Sequence, residues 1–320
     1  MVVTIFGVGA LGSLFGYRLH PHADAWLYGQ WAAQIATVRE RGLVVEELDG
    51  SVSAPRRLQM TSRLDEVPSS DVVIVLVKSQ QTTAVSPLIA QILKPDGLVI
   101  TLQNGLGNGD KLAAIVGAER VCQGITAQGA TMLGAGRVRH AGNGVTHMAR
   151  AGLDSDLVNR VAALLEECGI KTAVVDNADS LIWGKLAVNA AVNPLTALLE
   201  LPNGALPHDP LLLRLLSAAA NEVAALASAQ QITLPYPDAP AHVIRICELT
   251  TTNHSSMLQD MRRGAKTEIE AICGAITAVG QNLRIPTPVN KRLWQLVKQK
   301  ESGKLSLAQA KAELQKLDDL

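Results

Sequence analysis

The chain changes rhythm near residue 177. Before that point short apolar, β-branched runs alternate with helical patterns; after it only the 3.6-residue period remains. "VVTIF" (2–6), "AWLY" (25–28), "DVVIVLV" (71–77) and "GLVITL" (97–102) are apolar runs of strand length. Runs with so little polar alternation suit a parallel sheet covered on both faces. A helix from about Ala10 to Leu19 and another through 31–41 separate the first of them. "LVVEEL" (43–48) precedes a hairpin signal at Asp49-Gly50, and "RVCQGITA" (120–127) and "GNGVTHMA" (142–149) add further strands. "DLVNRVAALLEECG" and "KTAVV" close the segment. The pattern predicts an α/β, doubly wound, Rossmann-type sheet domain over 1–176 with right-handed crossovers.

The rest predicts helices over 179–200, 208–230, 239–251, 254–262, 265–283, 289–300 and 306–317, broken at "ELPNGALPHDP" and "TLPYPDAPA". The expected architecture is therefore the sheet domain followed by an all-α C-terminal domain over 177–320. Ligands commonly bind in a cleft between such domains.

One helical segment breaks its own pattern. "LIWGKLAVNAAVNPLTALL" (181–199) is apolar nearly all round, yet Lys185, Asn189 and Asn193 recur every fourth residue and Thr196 extends the line. At about 100° per residue, positions i, i+4 and i+8 fall within an arc of roughly 80°. Polar groups on a helix packed on several sides need partners or water, because burying them unpaired is costly. The stripe predicts a polar cleft; the competing explanation is an exposed strip on a surface helix.

Composition narrows the classes. With 320 residues, 48% hydrophobic and 18% charged, the chain is long enough for two well-packed domains. Its formal net charge is zero, its Lys and Arg are scattered, and only 3% of residues are aromatic, which argues against nucleic acid as a partner. Cys122, Cys168, Cys247 and Cys273 form no C-x-x-C pair, so neither a metal site nor a disulfide framework is expected. "MVVTIFGVGALG" lacks the basic start of a signal peptide, and the most apolar stretch, 181–199, carries Lys, Asn and Pro that lipid would penalise. The expectation is a cytoplasmic protein with no membrane partner. The terminal "SLAQAKAELQKLDDL" has a spaced apolar stripe that packing within the chain or a homodimer partner would cover equally well.

Candidate chemistry begins at "TIFGVGALGSLFG". Gly7, Val8, Gly9, Ala10, Leu11 and Gly12 form G-x-G-x-x-G between the first strand and the first helix, the context in which that motif is specific for a dinucleotide. Gly7 permits the tight turn, Gly9 lets the main chain approach a pyrophosphate, and Gly12 allows close helix–strand packing. NAD sites usually add an acid at the end of the second strand for the ribose 2′-hydroxyl, but here Tyr28, Gly29 and Gln30 stand there. That favours NADP(H), whose 2′-phosphate a carboxylate would repel. No Arg stands there to decide against NAD(H), although Arg39, Arg41 or Arg56 would serve if the fold brought them near. Lys78 in "LVKSQQT" and Asn104 in "LQNGLGN" follow successive strands at the sheet's carboxyl edge, where ligands bind. A solvated Lys and a turn-forming Asn are the plainer explanations.

Together "GVGALG", "LVKSQQT", "LQNGLGN", "WGKLAVNAAVNPLTAL" and "SSMLQDMRRGAKTEIEAICG" resemble the ketopantoate reductase (2-dehydropantoate 2-reductase) family over nearly the whole chain and in order. The resemblance implies a Rossmann domain followed by a helical domain, and NADPH-dependent reduction of ketopantoate to (R)-pantoate on the way to pantothenate and coenzyme A. It implies Lys185 as proton donor, Asn189, Asn193 and Asn203 as substrate-binding residues, and Ser256 holding the substrate carboxylate. It further implies Glu268 as the acid near lysine and cofactor, and Lys78, Asn104 and Ala130 at cofactor-contacting positions. Asn104, at a strand end where cofactor and substrate should meet, is expected to contact the substrate as well. Many members carry an arginine where this chain has "LYGQW".

The chemistry explains the stripe. Hydride transfer to a ketone builds negative charge on oxygen, which a lysine stabilises and protonates. A carboxylate such as Glu268 helps keep that lysine charged, and asparagines add hydrogen bonds without altering charge. A surface ion pair or helix cap is the plainer role for Glu268. Alternatives are a reductase of another branched 2-oxo acid, a non-catalytic NADP-binding sensor or scaffold, and a dehydrogenase of phosphorylated or amino-acid substrates, for which the neutral stripe offers less support.

Overall fold

A computed structural model describes residues 1–149 and 155–317. The chain divides into two compact units, Met1–Gln103 with Asn108–Ala178, and Asn104–Gly107 with Asp179–Leu320.

The first unit runs β1 (Val2–Phe6), α1 (Ala10–Leu19), β2 (Asp24–Tyr28), α2 (Ala32–Arg41), β3 (Val44–Glu46), β4 (Gln59–Thr61), β5 (Ser70–Val75), α3 (Thr82–Ile92), β6 (Leu93–Thr101), α4 (Asn108–Val116), β7 (Val121–Gly134), β8 (Arg137–Ala149), α5 (Ser155–Glu167) and β9 (Thr172–Val175). Its sheet has the order β3-β8-β7-β6-β5-β1-β2-β4, with β9 also on β8. From β4 to β7 every pairing is parallel; β8 then turns back antiparallel along β7. The apolar runs alternate between two cores. Val3, Ile5, Val72, Ile74 and Ile100 join α1 and α5 on one face, while Phe6, Val73, Val75 and Val99 join α3 and α4 on the other. Unbroken hydrophobicity in these strands is thus the signature of burial on both sides.

Three features depart from the expected elements. The edge strand β4 has only three residues and no apolar run. The segments expected at 120–127 and 142–149 belong to a long hairpin of 14 and 13 residues, whose glycines and exposed alternate positions hide its length. Asp49-Gly50 turns the chain back on itself as expected, with antiparallel bridges Glu46–Val52 and Leu43–Arg56; the departure is that β3 also pairs with β8, Val45 opposite Val138.

The second unit is helical: α6 (Asp179–Leu199), α7 (Pro210–Ala229), α8 (Ala239–Leu249), α9 (Ser256–Arg262), α10 (Ala275–Leu283), α11 (Pro288–Glu301) and α12 (Leu307–Gln315). Asp209 and Asp238 cap α7 and α8, each with proline in the first turn, and Ser306 with Gln309 forms a capping box on α12. Central α6 packs against α7, α8, α9, α11 and α12, which is why it is apolar nearly all round. Pro194 stays inside it. The Ala190 carbonyl, deprived of an N–H at position 194, receives the Cys273 thiol at 3.9 Å. The sequence alone points to 181–199 as its most apolar stretch, whereas among the described residues one helix, α7, is long and apolar enough to cross a membrane. Its Glu222 accepts the N–H groups of Val289 and Asn290 at the start of α11, and its Leu and Ala residues enter the unit's core.

The helix expected over 265–283 is broken. Gly264, at φ +65°, ends the α9 turn, residues 265–267 are irregular, and a π-turn at Glu270–Gly274 leads into α10. Single π-turns of this kind often mark functional positions.

Candidate active site

In the first unit the glycine loop bends from β1 into α1. Gly7 has φ +132°, and a Cβ there would lie 2.7 Å from the Leu76 carbonyl. A Cβ on Gly12 would sit 1.9 Å from the Gly7 oxygen, so strand and helix touch through this residue. Gly9 differs: it is exposed, and a Cβ on it would meet no protein atom within 4 Å. Nothing in the fold itself calls for glycine there, whereas a ligand brought onto the main chain would. Val8 is buried, Ala10 and Leu11 half-buried. The loop meets the start of α1, where N–H groups and the positive dipole end suit a pyrophosphate.

Lys78 is half-buried three residues beyond β5 and leads into a short 3-10 turn at Ser79–Gln81. Ala130 lies in β7 opposite His140 and packs against the core that α1 joins. At the end of β2 two of the three positions are packed, while Gln30 is exposed. Tyr28 is buried with its ring 4.9 Å from that of Phe6, and a Cβ on Gly29 would lie 2.6 Å from the Val8 side chain.

The second unit gathers the other candidates. Lys185 is half-buried on α6, and burial pushes its ammonium down to about 8, against the opposing pull of Glu268. Asn189 is half-buried and Asn193 buried along the same line. Glu268 is buried just ahead of the π-turn and accepts a hydrogen bond from Asn104 Nδ2 at 3.1 Å. Asn104 therefore belongs with the helical unit. Gly105, at φ +83°, lets the segment press so close to Ala271 that a Cβ would fall 2.3 Å from its oxygen, and Leu106 N–H bonds that same oxygen.

Thr196 ends the stripe structurally, its Oγ1 2.7 Å from the Oγ of Ser255. Ser255, not singled out from sequence, is the α9 cap and accepts the Leu258 N–H; Ser256, next in line, is exposed. Main-chain bonds from Asn203 to Asn253 and from Gly204 to Thr251 bring Asn203 beside the segment leading to Ser256. Asn203 Nδ2 donates to Thr250, while its buried Oδ1 has no partner among the described residues, an acceptor suited to a ligand hydroxyl. Sequence reading also missed Tyr236, which donates to the Gly184 carbonyl at 2.7 Å while Pro235 packs where a Gly184 side chain would be. That contact holds the turn carrying Lys185. No periodic signal announces it, because it lies fifty-odd residues away in a proline loop.

Known proteins match this arrangement throughout. A family model described as ketopantoate reductase PanE/ApbA matches residues 3–152, and its C-terminal counterpart matches 177–301. The 2-dehydropantoate 2-reductase of Archaeoglobus fulgidus is 34% identical over 302 residues, 94% of this chain and 98% of the relative. The chain belongs to the ketopantoate reductase family. The Halobacterium salinarum 2-dehydropantoate 2-reductase is 36% identical over 93% of this chain and 98% of its own. Among solved structures, a PanE/ApbA family ketopantoate reductase from Ralstonia eutropha JMP134 is similar with a TM-score of 0.86 at 29% identity, covering 95% of this chain and 99% of that one. D-mandelate dehydrogenase with NADH and anilino(oxo)acetate is similar with a TM-score of 0.87 at 28% identity, with the same coverage. This family member is thus an oxidoreductase by kinship, with a sheet unit and a helical unit like those of its relatives.

Proposed function

We propose that this chain catalyses the NADPH-dependent reduction of ketopantoate to (R)-pantoate in the cytoplasm, a step toward pantothenate and coenzyme A. The observation that carries the reading is Lys185, half-buried under the influence of Glu268 and in line with Asn189 and Asn193, in a chain of the ketopantoate reductase family. Gly7–Gly12, Lys78 and Ala130 of the first unit and Asn104 and Glu268 of the second are the residues that would hold a dihydronicotinamide, which would supply the hydride.

Lys185 stabilises the negative charge that grows on the carbonyl oxygen and gives it a proton. A pKa of about 8 leaves it protonated at neutral pH yet a stronger acid than an exposed lysine. Glu268 keeps the ammonium charged, and Asn104 holds the carboxylate in place. Asn189 and Asn193 orient the carbonyl and its neighbours, Asn203 Oδ1 accepts the substrate hydroxyl, and Ser256 donates to the carboxylate. Tyr236, acting through Gly184, positions the lysine.

A second reading, reduction of a different 2-oxo acid, draws support from the similarity to D-mandelate dehydrogenase. Steady-state rates with ketopantoate and benzoylformate, each with NADPH and NADH, separate the two. The ketopantoate reading expects kcat/KM to favour ketopantoate with NADPH. Preference for the aryl acid would replace the substrate, and absence of turnover despite cofactor binding would sink the reductase reading.

A further inference from the structure

The end of β2 carries neither the acid nor the arginine that ordinarily selects the cofactor. Tyr28 is buried, Gly29 is pressed against Val8, and Gln30 Nε2 is committed to the Tyr28 hydroxyl at 3.1 Å and the Ser62 carbonyl at 3.4 Å. The last of these bonds shows what lies alongside. Thr61 of β4 pairs with Tyr28, Gly29 N–H donates to the Thr61 carbonyl, and the chain leaving β4 runs Ser62-Arg63 beside Gly29-Gln30. Adjacent strands lie about 4.8 Å apart, well within the span of an arginine side chain.

The three arginines singled out from the sequence lie elsewhere or are engaged. Arg39 donates to the Met60 carbonyl and to Glu66, each at 2.7 Å, and Glu66 is further held by Thr61. Arg56 lies over the Tyr17 ring and bonds its carbonyl. Arg41 is in the last turn of α2, the far end from Gln30. Arg63 alone of these four stands at the exit of the strand beside β2. Its principal partner is Asp65 at 2.6 Å, with both side chains 67% exposed, and Glu66 lies further off at 3.6 Å. An exposed pair of this kind contributes little and yields readily to a better anion.

We propose that Arg63 receives the 2′-phosphate of NADP(H), with the exposed Ser62 hydroxyl beside it, so that cofactor choice is made on β4 rather than at the end of β2. The inference rests on the nicotinamide reading of the glycine loop. A guanidinium grips a phosphate through paired hydrogen bonds, and the phosphate displaces Asp65 from it. Asp65 then acts as a restraint on NADPH affinity, since it competes for the same group.

The test is direct binding of NADPH and NADH, followed by nicotinamide fluorescence without substrate, to wild type, Arg63→Ala, Asp65→Asn and Arg39→Ala. Losing a charge-assisted phosphate contact predicts that Arg63→Ala weakens NADPH roughly 10- to 100-fold while leaving NADH unchanged. Asp65→Asn tightens NADPH alone, Arg39→Ala leaves the NADPH-to-NADH ratio as in wild type, and added salt weakens NADPH more in wild type than in Arg63→Ala. An unchanged NADPH affinity in Arg63→Ala, an equal loss of both cofactors, or a wild type that binds only NADH overturns the assignment. A wild type that binds neither overturns the glycine-loop reading itself, and the Arg63 assignment with it.

Discussion

In the first unit the candidate ligand groups are main chain, bared at Gly9; in the second the candidates are side chains, ranged along α6 and at residues 203, 256 and 268. The loop at Gly7–Gly12 depends on what is missing, and its three glycines are glycine for different reasons. Gly7 and Gly12 answer to the protein, because a side chain there would strike Leu76 or Gly7 itself, whereas Gly9 answers to no protein atom. The α6 stripe depends on what is present, an ammonium and carboxamides in a setting that is otherwise apolar. One site is made by steric permission and the other by charge and hydrogen bonding. Substitutions should therefore fail in different ways.

The largest effect separates chemistry from binding. Lys185→Ala should lower kcat with ketopantoate by roughly 10²- to 10⁴-fold, the usual worth of a positioned proton donor, with NADPH affinity retained. Comparable loss of cofactor binding would place the lysine's role in the cofactor site instead.

Next comes the contrast within the glycine loop. Gly12→Ala should destabilise the protein by about 1–3 kcal/mol or more, read from the denaturant midpoint, because its Cβ has no space. Gly9→Ala should leave stability within about 0.5 kcal/mol of wild type and instead raise the cofactor Kd. Equal stability losses would erase the distinction between a packing glycine and a ligand glycine.

A smaller effect concerns pH. Lys185 must be protonated to donate, and burial sets its pKa at about 8, so the reduction rate should fall as pH rises through about 8. Glu268 holds that value up, so Glu268→Gln should move the alkaline limb to lower pH, by about one unit for each roughly 1.4 kcal/mol of lost attraction. A limb that stays in place in the variant would remove Glu268 from the lysine's electrostatics.

The smallest predicted effect probes the link between α6 and α9. Thr196→Val removes the buried Thr196–Ser255 hydrogen bond and should cost about 1–2 kcal/mol of stability. Ser256 would shift with its neighbour, raising KM for the 2-oxo acid more than it lowers kcat.

Helix periodicity alone drew the line through Lys185, Asn189 and Asn193, and the strand–glycine–helix order alone marked Gly7–Gly12, because both are local patterns a few residues long. The central strands were legible for a related reason: burial on both faces leaves an unbroken apolar run. β4 was not, since an edge strand of three residues can pair through its backbone without an apolar run. The late start of the helix expected over 265–283 was hidden too, because the apolar pattern runs on through the irregular residues 265–267 into a π-turn that only hydrogen bonding distinguishes.

What the sequence determined by itself was thus the type of each domain, the glycine loop and the polar stripe, all set by periodicity and by residues that act on their near neighbours. Tertiary structure decided the rest. It put Asn104 with the helical unit on Glu268, made Ser255 the cap and left Ser256 exposed, set Tyr236 on the turn bearing Lys185, and brought Arg63 beside the end of β2. Each depends on contacts between segments distant in the chain. Such contacts follow from the packing of whole elements and leave no local period behind.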